Sequence, residues 1–230
     1  MKILAVDTAT EVCGVAVLED DRLVVEYRIQ QRNVHNEKLV AAIETLLADA
    51  SLQIKDLDGL AAAIGPGSFT GLRIGLSVCK GLAFSANLPL AIVNTLDAMA
   101  HEAHFWKGKL CAVIKARAEE VYFATYEKDL HEVRRTADYR IEHVGTLARA
   151  LDSGTLVIVY PPNLRSAFSA AGLLFPSLER PVLSALSIAQ LGYRKLLRNE
   201  SVDLQTVEPF YLKDFQPKRK AHNYDFTAPN

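Results

Sequence analysis

Short apolar blocks separated by polar punctuation fill the first hundred residues. Lys2–Asp7 is aliphatic up to the aspartate, Val12–Leu18 follows Thr8-Ala9-Thr10, and Leu23–Ile29 follows Glu19-Asp20-Asp21. Blocks of this length with turn residues between them predict three strands joined as two consecutive hairpins. The period then changes. Val34, Leu39, Val40, Ile43, Leu46, Leu47 and Ala50 recur at the three-to-four spacing of one helical face, and Asn33 or Asn36 stands where a capping side chain belongs. Leu57–Ile64 reads as a buried strand and Gly65-Pro66-Gly67-Ser68 as a break. Phe69–Ala86 reads as a second helix, Leu88–Val93 as a strand and Leu96–His104 as a short helix.

Strands that alternate with helices in this way extend the hairpin sheet in parallel. Beyond Trp106-Lys107-Gly108 the pattern begins again. Leu110–Lys115, Val121–Tyr126 and Val133–Ile141 read as strands, Val144–Leu151 as a helix, Leu156–Val159 as a strand and Leu183–Leu197 as an amphipathic helix. The second half repeats the element order of the first without repeating its sequence. The prediction is an α/β chain of two lobes, each a mixed sheet with flanking helices, in the order used by actin-like and ribonuclease H-like (ASKHA) folds. That analogy concerns fold and carries no function. It places a first lobe over 1–105, a second over 106–213, and a flexible polar tail with Lys218-Arg219-Lys220 over 214–230.

Half of the 230 residues are hydrophobic and the formal net charge is −1. Apolar content and charge of this order argue against disorder. They also argue against autonomous nucleic-acid binding, which needs a basic footprint, so any RNA contact falls to a partner. Asp7 interrupts the first apolar run too early for a signal peptide, and no stretch of about 18 uncharged apolar residues occurs. Cys13, Cys79 and Cys111 lie in apolar runs without CxxC spacing, as small core residues of a reducing compartment do. The expectation is a cytoplasmic protein without a membrane anchor.

The segment from Gly65 to Gly75, Gly-Pro-Gly-Ser-Phe-Thr-Gly-Leu-Arg-Ile-Gly, is the most informative. Gly-Pro-Gly makes a tight turn, Ser68 or Thr70 can cap the helix behind it, and the first N–H groups of that helix offer an anion site. Inside the helix Gly71 and Gly75 are four apart, and Cys79 and Ala83 continue their stripe. Each interior glycine costs about 1 kcal/mol relative to alanine, so two of them imply close approach of another backbone. Two readings stand: tight pairing with another subunit, or tight packing on the chain's own sheet. On the first, Gly75→Leu weakens pairing and leaves the lobe folded. A phosphate-binding reading is weaker, because the segment lacks both GxGxxG and the lysine of a P-loop.

This segment, about sixty residues after a Met-Lys-Ile-Leu-Ala-Val-Asp-Thr-Ala-Thr start, resembles the signature of the TsaB (YeaZ) family. His35-Asn36-Glu37-Lys38-Leu39 is similar to the opening of that family's first helix. Ala116-Arg117-Ala118-Glu119-Glu120-Val121-Tyr122 is similar to its Ala-Arg-x-x-Glu-Val-Tyr strand pair, although Lys115 stands where Asp is common. Glu208-Pro209-Phe210-Tyr211-Leu212-Lys213 is similar to its Pro-x-Tyr-Leu-Arg ending, with Lys213 in place of Arg. The resemblance implies an actin-like paralogue of the catalytic subunit TsaD. TsaD transfers threonylcarbamoyl from its adenylate to the adenosine 3′ of the tRNA anticodon, and a TsaE-type ATPase joins the complex. It further implies a pairing surface on the first two helices, here His35, Leu39, Ile43 and Leu46, then Phe69, Gly71, Leu72, Gly75, Leu76 and Cys79. A homodimer through the same helices is expected when the partner is absent.

TsaD-like proteins hold a metal through two histidines four apart on a helix. In the similar segment of this chain, Asn94–Met99, those places fall on Thr95 and Met99, neither a plausible ligand. His101 and His104 form an HxxH around Glu102 without a recognisable third ligand. The expectation is a non-catalytic subunit with no metal and no firmly bound cofactor. The alternative is an actin-like ATPase or kinase. Asp7, Thr8, Thr10 and Ser68 are its candidate nucleotide or anion contacts, with Asp7 placed to hold magnesium through water and ATP or ADP bound weakly or shared with a partner. A metallopeptidase-like activity is a third reading, disfavoured by the missing histidine pair.

Overall fold

The computed structural model describes residues 1–30, 35–129, 132–171, 173–175 and 184–212. The opening hairpins form as the pattern predicts: β1 (Lys2–Asp7), β2 (Val12–Glu19) and β3 (Arg22–Gln30) pair antiparallel. Helix α1 (His35–Asp49) precedes β4 (Gly59–Gly65), helix α2 (Phe69–Ala86) precedes β5 (Leu90–Asn94), and both strands add in parallel. The first sheet therefore runs β3-β2-β1-β4-β5. Its two faces follow from strand alternation. Leu4, Val6, Val15 and Val17 face α1 and α2, whereas Ile3, Ala5, Ala61 and Ala91 face the other way.

Helix α3 (Thr95–Glu102) starts on the Asn94 side chain, whose Oδ1 accepts from the Leu96 N–H at 2.9 Å. It leads into a second sheet of β6 (Gly108–Lys115), β7 (Glu120–Lys128), β8 (Val133–Arg135), β9 (Arg140–His143) and β10 (Leu156–Tyr160). Leu110, Ala112 and Ile114 face α3, and Cys111 and Val113 face α4 (Val144–Ala150) and the 3-10 turn Pro162–Ala171.

The structure corrects two expectations. The single strand expected over 133–141 is two, β8 opposite Tyr126–Lys128 and β9 opposite Glu120–Phe123. Tyr139 leaves the ladder between them. Its hydroxyl donates to Asp97 of α3 at 2.6 Å, and its ring takes the Arg135 guanidinium at 4.0 Å. The second correction concerns what the chain does after residue 184. Helix α5 (Ala185–Leu197) lies within the range assigned to the second lobe, yet it covers the first sheet. Ile188, Ala189 and Leu196 pack with Ile3, Ala5 and Ala61, and a Cβ on Gly192 would collide with that of Ala61. The following segment also returns to the first sheet, where Val202 N–H donates to Leu90 O and Phe210 N–H to Ile64 O. Residues 213–230, including the expected tail, lie outside the described residues.

Candidate functional site

The loop between β1 and β2 and the turn before α2 are built into each other. Ser68 N–H donates to Ala9 O at 2.7 Å, Ser68 Oγ accepts from Gly71 N–H at 3.2 Å, and Thr8 Oγ1 donates to Gly71 O at 2.7 Å. Gly65 takes φ +111°, a conformation side chains rarely adopt, to turn the chain out of β4. A Cβ on Gly71 would overlap the Thr8 carbonyl oxygen, and one on Gly75 would overlap Thr8 Oγ1. The foreign backbone invoked for the glycine stripe is thus the chain's own β1–β2 loop.

That finding decides between the two readings of the stripe. Gly71, Leu72, Gly75, Leu76 and Cys79 are buried on the inner side of α2, as are Leu39, Ile43 and Leu46 on α1. None of these eight can meet a second chain without unpacking the lobe, so their assignment to a pairing surface is corrected. Phe69 is half-buried, with the Arg73 guanidinium 3.8 Å from its ring centroid, and Arg73 Nε donates to the Tyr211 hydroxyl at 2.9 Å. His35 opens α1, but its side chain is outside the described residues, as are the expected capping side chains of Asn33 and Asn36.

The outward side of the two helices is different in kind. Phe84 is 83% exposed and Val40 52% exposed. Gly81, one turn before Phe84, has nothing within 4 Å of the place a Cβ would occupy. A third glycine inside α2, on its solvent side, weakens the helix by about 1 kcal/mol with no packing need in this chain. The sequence held the signal: Gly81 falls off the Gly71–Gly75–Cys79–Ala83 stripe.

A cavity of about 690 Å³ opens where the β1–β2 loop and the start of α2 face the ends of β6 and β10. Its walls include Thr10, Glu11, Gly67, Ser68, Thr70, Lys115 and Pro161. Of the four expected nucleotide contacts, Thr10 and Ser68 reach it. Thr8 is buried and its hydroxyl is committed to Gly71 O. Asp7 is buried, accepts from the Ala9 N–H at 2.9 Å, and lies outside the cavity walls. Burial pushes its carboxyl up from 3.8 to about 6. Asp7 thus stands apart from Thr10 and Ser68, which line this cavity.

A second cavity, about 600 Å³, lies between α3, α5, β3 and the end of β7. Glu26 Oε1 there accepts from Arg28 Nε at 3.1 Å, Ser184 Oγ at 2.5 Å and Leu186 N–H at 3.3 Å. Burial drives the Glu102 carboxyl to about 7, and its Oε1 is buried without a hydrogen-bond partner. His101 Nε2 lies 3.1 Å from Gln190 Oε1, and burial lowers its pKa. The reading of the sequence gave His101 and His104 no ligand role and passed over Lys128, which joins this wall from the distant end of β7.

The metal implied by TsaD-like proteins does not fit the residues present. Thr95 is buried, and Met99 lies in the core between α3 and the second sheet. No group of three His, Cys, Asp or Glu side chains arranged for a metal exists among the described residues.

Two sheets of this connectivity, facing each other across the first cavity, define an actin-like protein. Solved structures of that class agree: an ethanolamine utilization protein EutJ from Carboxydothermus hydrogenoformans superposes with a TM-score of 0.52 at 16% identity. YeaZ from Pseudomonas aeruginosa superposes with a TM-score of 0.80 at 28% identity, covering 92% of this chain and 99% of the other. A family model described as TsaD, tRNA N6-adenosine threonylcarbamoyltransferase, matches residues 28–180. The tRNA threonylcarbamoyladenosine biosynthesis protein TsaB of Escherichia coli is 40% identical over 93% of this chain and 95% of its own. That of Haemophilus influenzae is 30% identical over 93% and 94%. The chain belongs to the TsaB (YeaZ) family. No helix among the described residues is long and apolar enough to cross a membrane.

Proposed function

We propose that this chain serves tRNA threonylcarbamoyladenosine synthesis as the pairing subunit of a TsaD-type catalytic paralogue, and that it contributes no complete active site of its own. The observation that carries the reading is the outer strip of α1 and α2, where an exposed Phe84 stands beside a glycine with open space above it. An aromatic anchor next to a small residue is what a helix–helix contact uses to bring two backbones close. Family membership supports the task. Without a partner the same strip closes a homodimer. A TsaE-type ATPase joins the complex, and tRNA contact rests with the partner, consistent with a net charge of −1. Any ATP or ADP is shared or weak, held near Thr10 and Ser68 in the first cavity.

The strip makes an unusual pair of predictions. Gly81→Ala should stabilise the isolated chain by about 0.5–1 kcal/mol through helix propensity, yet weaken pairing with the TsaD-type protein. Phe84→Asp should weaken pairing at least tenfold, about 1.4 kcal/mol or more, and leave the melting temperature of the isolated chain unchanged. Calorimetric titration of the two purified proteins, with light scattering for stoichiometry, measures both. Unchanged affinity in both variants would remove this strip as the contact. Full tRNA modification without the chain would remove the function.

A further inference from the structure

The second cavity contains a buried cation that makes no ion pair among the described residues. Lys128 is only 6% exposed, lines the cavity, and has no carboxylate within ion-pair distance among the described residues. Burial of an ammonium without a partner is costly, and such groups are ordinarily paired. Asp129, next in the chain, acts on Lys128 only through its field, and burial still outweighs it to lower the lysine's pKa. Arg194, across the cavity on α5, acts on Lys128 as a like charge and itself has no acidic partner among the described residues. The nearby carboxylate of Glu26 is taken by Arg28, Ser184 and the Leu186 N–H. Glu102 stands on the α3 wall and supplies a buried oxygen with no partner. The cavity thus has a positive end at Lys128 and Arg194 and hydrogen-bonding walls from Gln190, Ser187 and Glu102, in a volume suited to a small metabolite.

We propose that this cavity binds a small oxyanion-bearing metabolite, with the oxyanion seated between Lys128 and Arg194 and its polar body against Ser187, Gln190 and Glu102. The site is separate from the α1–α2 strip and does not depend on the pairing role. It is also distinct from the first cavity, whose cation is Lys115.

The test titrates the full chain at low ionic strength with inorganic phosphate and, in a second arm, with acetate, following backbone amide shifts. Saturable binding of either anion is expected, with the responding amides on α5 and at the end of β7. Preference for phosphate or for acetate identifies the oxyanion as phosphate or carboxylate. Lys128→Met should weaken binding at least tenfold and Arg194→Gln severalfold, whereas Lys115→Met should leave it unchanged. Arg194 is exposed, so its variant keeps the test valid should Lys128→Met fail to fold. Absence of saturable binding to both anions overturns the proposal. So does binding that survives both Lys128→Met and Arg194→Gln, or that is lost with Lys115→Met.

Discussion

Gly71→Ala should lower the stability of the chain by about 3 kcal/mol or more, a drop of roughly 6–12 °C in melting temperature for a protein of this size. A methyl group in a helix would by itself be favourable by about 1 kcal/mol, so the expected sign is opposite to propensity. The reason is the Thr8 carbonyl, which occupies the space the Cβ needs. Backbone cannot swing aside as a flexible side chain can. The start of α2 must move away from the β1–β2 loop, and two hydrogen bonds between them go with it: Thr8 Oγ1 to Gly71 O and Ser68 N–H to Ala9 O. Gly75→Leu should also destabilise the lobe, by displacing the Thr8 hydroxyl that holds Gly71 O. It therefore cannot serve as a clean interface variant, and Gly81 and Phe84 replace it in that role. Chemical denaturation of Gly71→Ala checks the claim, and a midpoint within about 2 °C of the parent on heating would show that the loop yields.

The same segment shows how far the sequence could be read. Its glycine spacing announced a close backbone approach, and the approach exists. Spacing alone could not say whose backbone, because a helix face packed on a neighbouring loop and one packed on a neighbouring chain demand the same small residues. The hairpins, the parallel strands and most helices were legible because each has a hydrophobic period of its own. What α5 covers was not. Its stripe of Ile188, Ala189, Gly192 and Leu196 says that it is buried on one side, but not that the chain recrosses to the first sheet to bury it. Asp7 illustrates the limit for chemistry. Its place at the end of β1 was read correctly, and it took the fold to show the carboxylate buried and bonded to the Ala9 N–H, outside the cavity walls. Lys128 and Arg194 lie 66 positions apart, and only tertiary structure brings them to one wall.

Asp7→Asn and Glu102→Gln should each gain stability over the parent as pH rises from about 4 to about 7. The two buried carboxyls cost the folded state stability over that range, while His101, its pKa lowered by burial, contributes with the opposite sign. Burial holds Asp7 at about 6 against an ordinary 3.8, and Glu102 at about 7 against 4.5. Both folded values are raised, so the folded chain binds these protons more tightly than the unfolded chain does. Their penalty is absent below the unfolded values and complete above the folded ones. A carboxyl moved this far costs the folded state about 3 kcal/mol once ionised. The two costs do not add, because Glu102 lies in the field of Asp7 and both feel Arg28. Asp7→Asn keeps an oxygen for the Ala9 N–H and removes the charge. It should therefore gain about 2–3 kcal/mol at pH 8 and almost nothing at pH 4.5, with Glu102→Gln behaving alike over a window about one pH unit higher. Urea midpoints measured across this range for the parent and both variants decide the matter. An Asp7→Asn variant no more stable at pH 8 than the parent would mean that this carboxyl is solvated in solution and that the walls around it open.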